Sequence, residues 1–340
     1  MTGNAVYRLA NTSIVSVTRV EAPEIVTSEA LDDRLDAMYA RIGMSRGGLA
    51  GLAGVEERRW WPEGTSYISG AVEAGNLAME AAGVEPGQIG LLINASVSRP
   101  HLEPSVAAQV HDELDLPTSC LNFDITNACL GFVNAMQVAG SMIDAGQMDY
   151  ALIVASEGTR EPQERTLDRL INGETTKDEL KEAFATLTVG SGAAAMVLGR
   201  SDQHPDGHRI VGGLSRAGTS HHGLCIGNME EMHTDSRALY VNGMALVKDA
   251  WEEAKSEFAW SGMDAYIPHQ TSTSHLRGLA KALELDNDRL AVSLVKHGNT
   301  AAAAVPFTLA QEVPNLSKGD RVLLMGIGSG LNTSFTEIAW

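Results

Sequence analysis

The chain has 340 residues, 44% of them hydrophobic, so it is long enough for two average domains or one large pseudo-symmetric domain with a sizeable core. Its formal net charge of −18 predicts repulsion from nucleic acids and anionic membranes, so neither is an expected partner. No apolar run reaches the roughly 18 residues that a membrane-spanning helix needs.

Helices and strands are predicted to alternate along the first half of the chain. The predicted helices cover residues 29–42, 66–83, 105–114 and 129–145, and the predicted strands cover 89–95, 119–125, 150–155 and 193–198. The 129–145 helix is apolar on nearly every side and is expected to be buried. The charged residues 160–183 predict an exposed helical insertion, and the polar residues 202–208 indicate a boundary.

The second half repeats this order of elements. Residues 88–94 correspond to 263–268, and residues 148–154 correspond to 319–325. Cys129 precedes Asp149 by 20 positions, as Thr300 precedes Asp320 by 20. The pattern predicts an α/β protein of two similar layered halves, residues 1–200 and 201–340. Chance similarity remains an alternative, because all α/β chains share this alternation.

The cysteines Cys120, Cys129 and Cys225 form no CxxC pair, and their spacing is irregular. This pattern argues against a disulfide framework and predicts a reducing cytoplasm. Residues 1–13 lack the basic segment followed by an apolar one that marks a signal peptide, which agrees with a cytoplasmic location.

Cys129 stands where an apolar strand ends and an apolar helix begins. The positive end of the helix dipole at such a junction favours the nucleophilic thiolate. The alternative is a buried structural cysteine, which is the usual fate of this residue. We adopt that alternative for Cys120, which lies within a strand, and for Cys225, which lies in a Gly- and His-rich loop.

Two further candidates follow predicted strands in the second half. His269 ends the strand at residues 267–268, on the edge where open α/β sheets hold their ligands, and can act as acid or base for a thiol. Asn299 follows a predicted strand at 291–295 and precedes a helix that begins within 301–304. The alternatives are a hydrogen-bonded structural histidine and a helix-capping asparagine.

Several other segments contain patterns that are typical of catalytic or binding sites. The glycine-rich residues 326–330 do not fit a nucleotide-binding loop because position 331 is leucine, but such a loop can bring N–H groups to a reacting oxygen. The GxSxG string at 43–47 follows a predicted helix, whereas a hydrolase elbow needs a strand. His221, His222, Cys225 and His233 fit no standard zinc spacing, so no metal is expected there, and a loop lining a cleft is the preferred interpretation.

Together these segments resemble the thiolase superfamily, and within it the 3-oxoacyl-(acyl-carrier-protein) synthase III family. The matching motifs are NACLGF at 127–132, PHQ at 268–270, GNT at 298–300, GVEERR at 54–59 and VGSGAAA at 189–195, where serine replaces the family's aspartate. The resemblance implies a thiolase-like fold of two pseudo-symmetric αβαβα halves. The first half carries the nucleophilic Cys129, and the second carries His269 and Asn299.

A narrower resemblance points to the OleA-type enzymes, which condense two fatty acyl-CoA molecules head to head in long-chain olefin biosynthesis. Residues 96–104 (SVSRPHLEP) carry it, together with TNACLG at 126–131 and GIGSGLN at 326–332. It implies a homodimer in which Glu103 reaches the neighbouring active site. From the residues alone, the preferred interpretation of Glu103 is a solvated loop carboxylate or a helix-start residue ahead of Ser105.

The resemblance implies a mechanism. Cys129 attacks the first acyl-CoA, and the backbone N–H groups of Cys129 and Ser329 hold the oxyanion. Glu103 removes the α-proton of the second acyl-CoA, and His269 and Asn299 donate hydrogen bonds to the enolate. The product is a β-ketoacyl compound, passed to possible downstream pathway enzymes.

The substrate is expected to be acyl-CoA, with no cofactor. Arg46, Arg58 and Arg59 are candidates for the CoA phosphates, because an acidic protein must cluster its basic residues locally to bind them. Apolar channels for the alkyl chains are expected to involve Met229, Met232, Leu239 and Met244, which are equally plausible core residues.

Three alternative functions remain open. The first is a decarboxylating synthase III that starts fatty-acid or polyketide chains with malonyl-carrier protein. The second is an acyl transferase on the same fold that forms esters or amides. The third is a non-catalytic acyl-CoA-binding protein.

Overall fold

The computed structural model describes residues 6–228 and 231–340. Within these ranges the helices are α1 (Ser28–Ile42), α2 (Gly48–Gly51), α3 (Ile68–Ala82), α4 (Val106–Glu113), α5 (Gly131–Asp144), α6 (Arg160–Asn172), α7 (Lys177–Thr188), α8 (Ser236–Ala254), α9 (Thr273–Leu283), α10 (Leu294–His297) and α11 (Ala304–Glu312). The strands are β1 (Val6–Arg8), β2 (Thr12–Glu21), β3 (Glu24–Thr27), β4 (Glu57–Trp60), β5 (Ile89–Asn94), β6 (Leu121–Asp124), β7 (Tyr150–Glu157), β8 (Gly192–Arg200), β9 (His208–Ala217), β10 (Cys225–Gly227), β11 (Met232–Thr234), β12 (Ala265–Pro268), β13 (Arg321–Gly328) and β14 (Asn332–Ala339).

The main sheet is mixed and has the strand order β12-β13-β14-β9-β2-β8-β7-β5-β6, with β1 paired to β9. The pairing repeats between the two halves. In the first half, β5 and β7 are parallel, and β7, β8 and β2 pair antiparallel in succession. In the second half, β12 and β13 are parallel, and β13, β14 and β9 pair antiparallel in succession. The predicted α/β class with two similar halves is therefore confirmed.

The core is layered around two central helices. Helices α5 and α11 pack between the two halves, in one cluster with Ile93 and Met196 of the first half and Ile267 and Leu324 of the second. A second cluster joins α3 and α4 to the other face of the first half. A third joins α8 and α9 to the other face of the second half. The burial expected for the apolar helix near Cys129 thus follows from its position in the middle layer.

The predicted strand at 291–295 is wrong. Leu290 makes a single parallel bridge with Tyr266, and the chain then turns into α10. The reason is a side chain, because Gln270 Oε1 accepts hydrogen bonds from the backbone N–H groups of Ser293 (3.0 Å) and Leu294 (3.3 Å). These N–H groups are satisfied without a strand partner.

The charged residues 160–183 form helices as predicted, but they are not simply exposed. Helices α6 and α7 bury Leu167, Leu170 and Leu187 against Leu31 and Leu35 of α1. Their charged residues stay outside this core, which is the amphipathic pattern of a helix packed on one side. The division of the chain at residue 200 remains a prediction, and β1 pairs across it with β9. Among the described residues, no helix has the length and apolarity to cross a membrane.

Candidate active site

Cys129 lies in a tight turn between β6 and α5. The preceding residue, Ala128, has a left-handed backbone with φ of 46°. The helix begins at Gly131, two residues beyond Cys129, rather than at the cysteine as predicted. A Cβ atom at Gly131 would lie 2.7 Å from the carbonyl oxygen of Ala95, so only glycine allows the helix to start this close to β5.

The loop between β13 and β14 lies against the Cys129 turn. A Cβ atom at Gly328 would stand 3.3 Å from the backbone nitrogen of Cys129. Asn332 Nδ2 donates to Asn127 Oδ1 at 3.2 Å, and Asn127 Nδ2 donates to Asn134 Oδ1 at 2.8 Å. The glycine-rich segment therefore approaches the backbone of Cys129, with Ser329 next in the chain.

The Cys129 thiol is not primed as a thiolate. Burial is the main cause that raises its pKa to about 12, and the nearby Glu157 and Cys225 raise it further. The sequence predicted a thiolate stabilised by the helix. Burial opposes this prediction, since removing the thiol from water disfavours its charged form. Both causes favour the protonated thiol over the thiolate.

His269 follows β12 directly, and its backbone N–H donates to Met325 O of β13 at 2.8 Å. The side chain is only 4% exposed, and its Nδ1 has no hydrogen-bond partner among the described residues. Burial, followed by the charge of His275, lowers the pKa of His269 to about 4. The imidazole is therefore neutral near pH 7 and can accept a proton.

Asn299 is held by its backbone on both sides. Its N–H donates to Thr188 O at 3.0 Å, and its carbonyl accepts from Gly190 N at 2.9 Å. Its Oδ1 accepts from the backbone N–H of Ala301 at 2.9 Å. The amide nitrogen Nδ2 has no partner among the described residues, which leaves its two hydrogens free for a ligand. Asn299 can therefore cap the following turn through Oδ1 and bind a ligand through Nδ2.

Glu157 is a site residue that the sequence reasoning missed. It ends β7, is 1% exposed, and interacts with the Cys129 thiol. Its carboxylate accepts hydrogen bonds from Val97 N (2.9 Å), Ser98 N (2.9 Å) and Ser98 Oγ (2.7 Å). A carboxylate directly after a buried apolar strand was the signal available in the sequence.

Glu103 lies exposed in the loop between β5 and α4. No hydrogen bond or ion pair joins it to another part of the described chain. The loop itself is anchored, because Arg99 pairs with Asp124 at 3.4 Å and Asp124 also accepts from the first N–H groups of α4. The adjacent Leu102 is 91% exposed. Within the described chain, Glu103 therefore forms no hydrogen bond or ion pair with the residues around Cys129.

The three candidate arginines differ in their surroundings. Arg58 is fully buried and donates to Ser28 Oγ, Val26 O and Leu187 O, and burial lowers its pKa to about 10. The expectation that Arg58 binds CoA is therefore corrected, because its guanidinium holds backbone segments together inside the protein. Arg59 pairs with Glu57 at 3.2 Å, and Arg46 is half-exposed and paired with Asp33 and Asp36.

Met232, Leu239 and Met244 are half-buried, and their part in an alkyl channel remains a prediction. Met229 lies outside the described residues. His233 pairs with Glu182 and Glu231 at 3.2 and 3.3 Å, so carboxylates occupy both of its ring nitrogens. Across residues 6–228 and 231–340, no group of three or more His, Cys, Asp or Glu residues is arranged to hold a metal ion.

Comparison with known proteins identifies the family to which this chain belongs. Residues 123–213 match the family described as 3-Oxoacyl-[acyl-carrier-protein (ACP)] synthase III, and residues 254–340 match its C-terminal family. The acyl-CoA:acyl-CoA alkyltransferase of Xanthomonas campestris pv. campestris is 38% identical over 97% of this chain and 99% of its own. The alkyltransferase of the same name from Shewanella oneidensis is 30% identical over 94% of this chain and 96% of its own.

The solved structures agree with the sequence matches. A cysteine-to-serine variant of Xanthomonas campestris OleA with bound lauric acid and lauroyl-CoA superposes with a TM-score of 0.95, at 38% identity, over 98% of this chain and 100% of that one. A cerulenin-bound structure of the same protein has a TM-score of 0.96, at 38% identity, over 98% of each chain. These matches confirm the thiolase-like fold. The chain is an acyltransferase that belongs to the 3-oxoacyl-[acyl-carrier-protein] synthase III family of the thiolase superfamily, among the OleA-like acyl-CoA:acyl-CoA alkyltransferases.

Proposed function

We propose that this enzyme joins two fatty acyl-CoA thioesters by a non-decarboxylative Claisen condensation, giving the β-ketoacyl precursor of a long-chain hydrocarbon. This proposal rests mainly on the 38% sequence identity, over nearly the full length, with a protein named acyl-CoA:acyl-CoA alkyltransferase. The site geometry supports it, since a thiol, a neutral imidazole and a free carboxamide are held by neighbouring backbone segments.

Acylation is the first step. Cys129 Sγ attacks the thioester carbonyl, and the neutral His269 accepts the thiol proton as the carbon–sulfur bond forms. This coupling suits a thiol whose pKa is raised to about 12, because a free thiolate is not available beforehand. The oxyanion is held by the N–H groups of Cys129 and Ser329, each worth about 3 kcal/mol in comparable sites. CoA leaves with the proton that His269 carries.

Condensation is the second step. A simple acyl-CoA has no carboxylate to lose, so a base must remove its α-proton. Glu103 is the proposed base, and His269 and Asn299 Nδ2 donate hydrogen bonds to the enolate oxygen. The carbanion attacks the acyl group on Cys129, and the acyl carbon–sulfur bond breaks. The Cys129 thiolate then takes up the α-proton from Glu103, which leaves the thiol, the free base and the β-ketoacyl product.

A homodimer supplies Glu103 in this proposal. The loop of Glu103 projects Leu102, which is 91% exposed, and Val97, which is 45% exposed. Strand β6 stands at one end of the main sheet with Leu121 49% exposed. An apolar surface beside an open strand edge favours contact with a second copy of the chain, which brings Glu103 into the neighbouring site.

Substrate delivery and surroundings complete the proposal. Arg46 and Arg59 remain the proposed contacts for CoA phosphates, although each phosphate must compete with the carboxylates already paired to them. The three cysteines are unpaired, which supports a reducing cytoplasm as the location. An enzyme that consumes the β-keto product is the expected downstream partner.

One experiment tests the function against its alternatives. The purified enzyme is incubated with a single acyl-CoA, with and without malonyl-carrier protein, and the products are identified by mass spectrometry, with Cys129→Ala as the control. We expect a β-ketoacyl product without malonyl-carrier protein and none from the control. Product that forms only with malonyl-carrier protein and CO2 release identifies a decarboxylating synthase. Ester or amide products identify a transferase, and no thioester turnover identifies a binding protein.

A further inference from the structure

Glu157 is a buried carboxylate to which the proposed mechanism assigns no step. Its two oxygens accept the three hydrogen bonds from Val97 and Ser98. The Ser98 hydroxyl is itself fixed, because it accepts from Gly158 N at 3.0 Å. Three donors, one of them held in place by a further hydrogen bond, therefore converge on two carboxylate oxygens.

These donors come from a segment that carries a proposed site group. Val97 and Ser98 begin the loop that leads to Glu103. Strand β7, which Glu157 ends, also packs against the turn that follows Asn299. A single carboxylate thus fastens the start of the Glu103 loop to the end of β7. It does so beside Cys129, because it is close enough to raise the pKa of that thiol.

The donor set favours the ionised form of Glu157. Each of the three donors binds a charged carboxylate oxygen more strongly than it would bind a neutral carboxyl oxygen. Burial opposes this preference and raises the pKa of Glu157, but charge-assisted hydrogen bonds offset part of the desolvation. Other titratable groups interact with Cys129 and Glu157. Cys225 of β10 interacts with Cys129, and the phenol of Tyr67 interacts with Glu157.

We propose that Glu157 is a positioning residue for condensation, which anchors the start of the loop that presents Glu103 to the neighbouring site. The inference rests on the proposed function. Cys129 itself is held by other contacts, those of Asn127, Gly131 and Gly328, so its acylation does not require the Glu157 bridge.

The test is the Glu157→Gln variant, which keeps the shape of the side chain but removes its charge and one acceptor. The matched control is Glu161→Gln, which makes the same charge change at an exposed position of α6. We expect Glu157→Gln to form the acyl-Cys129 adduct at nearly the wild-type rate, whereas the condensation rate falls about 10- to 100-fold because the Glu103 loop is misplaced. The control should condense as the wild type does.

Iodoacetamide alkylation of Cys129 provides a second readout that needs no acyl-CoA. Loss of the neighbouring negative charge should move the alkylation profile of Glu157→Gln to lower pH, with no shift in Glu161→Gln. If Glu157→Gln does not fold, Ser98→Ala removes one donor and keeps the carboxylate. That variant should lower condensation by a smaller factor and leave the alkylation profile unchanged.

Two results overturn the inference. One is condensation at the wild-type rate in Glu157→Gln or, where that variant does not fold, in Ser98→Ala. The other is an equal loss of acylation and condensation without a shift in the alkylation profile, which would indicate general structural damage. A wild-type enzyme that never condenses acyl-CoA would refute the proposed function instead, and the alkylation profiles would still report whether Glu157 acts on Cys129.

Discussion

At the scale of single residues, the two groups that exchange a proton in the proposed acylation are both uncharged at rest. Burial raises the pKa of Cys129 to about 12 and lowers that of His269 to about 4. The pair therefore rests as thiol and imidazole rather than as thiolate and imidazolium. Charge develops only when a thioester is present, where the backbone N–H groups can stabilise it.

The reactivity of Cys129 gives a direct prediction. Because the thiolate fraction is small throughout the accessible range, alkylation by iodoacetamide should accelerate about tenfold for each pH unit between pH 7 and 9. The rate is measured by mass spectrometry of the Cys129 peptide. A rate that is already constant above pH 7 would contradict the protonated resting state and restore the helix-stabilised thiolate.

The pH dependence of acylation gives a second prediction. The neutral imidazole of His269 is the proton acceptor, and its lowered pKa of about 4 keeps it available. The acylation rate should therefore show no loss between pH 8 and 6, where a histidine of ordinary pKa would become protonated. Stopped-flow measurement of CoA release at each pH tests this. A fall centred near pH 6.5 would mean that the His269 pKa is not lowered.

At the scale of elements, the site depends on how closely α5 approaches β5. The Cys129 turn, the start of α5 and the end of β5 are packed so tightly that one position accepts only glycine. The same closeness brings the glycine-rich segment of β13 to the cysteine backbone. The geometry of the oxyanion site is thus a consequence of backbone packing in the middle layer.

Gly131→Ala tests this packing. Its Cβ would lie 2.7 Å from a backbone oxygen, which cannot move aside as a flexible side chain can. We expect a loss of about 1–3 kcal/mol in the free energy of unfolding, together with slower acylation. Denaturant unfolding and the adduct assay measure the two effects. Gly87→Ala is the control, since no atom lies within 4 Å of its added Cβ, and it should be nearly neutral.

The elements also show which features the sequence could reveal. Apolar runs and helical periodicity predicted β5, β7, β8 and α5, because the burial of these elements is visible in their local sequence pattern. The false strand near 291–295 and the misjudged Arg58 have another origin. Each depends on a contact with a distant residue, Gln270 in one case and Leu187 in the other. Glu157 escaped notice for the same reason, since its partners Val97 and Ser98 lie 60 and 59 positions away in the chain.

At the scale of the whole molecule, the proposed reaction needs two chains. Glu103 makes no contact with the Cys129 cluster within one subunit, and it projects from a surface with exposed apolar residues. The catalytic unit in this proposal is therefore composite. One chain provides the nucleophile and its proton acceptor, and the other provides the base.

Mixed dimers test this arrangement. Cys129→Ala and Glu103→Ala should each be inactive in condensation, although Glu103→Ala should still form the acyl adduct. Random assembly of equal amounts should restore about a quarter of the wild-type activity, because half of the dimers are mixed and each mixed dimer has one complete site. Product formation after co-expression is the measurement. No recovery in verified mixed dimers would mean that Glu103 does not act across the interface.

The pairing of β1 with β9 has a consequence for biosynthesis. Val6, Tyr7 and Arg8 find their strand partners only at Leu214, Gly213 and Gly212, about two hundred positions later in the chain. At ribosomal rates of about 5–20 residues per second, these first residues wait roughly 10–40 seconds for a partner. During that interval β1 lacks the only strand partner that the described structure gives it.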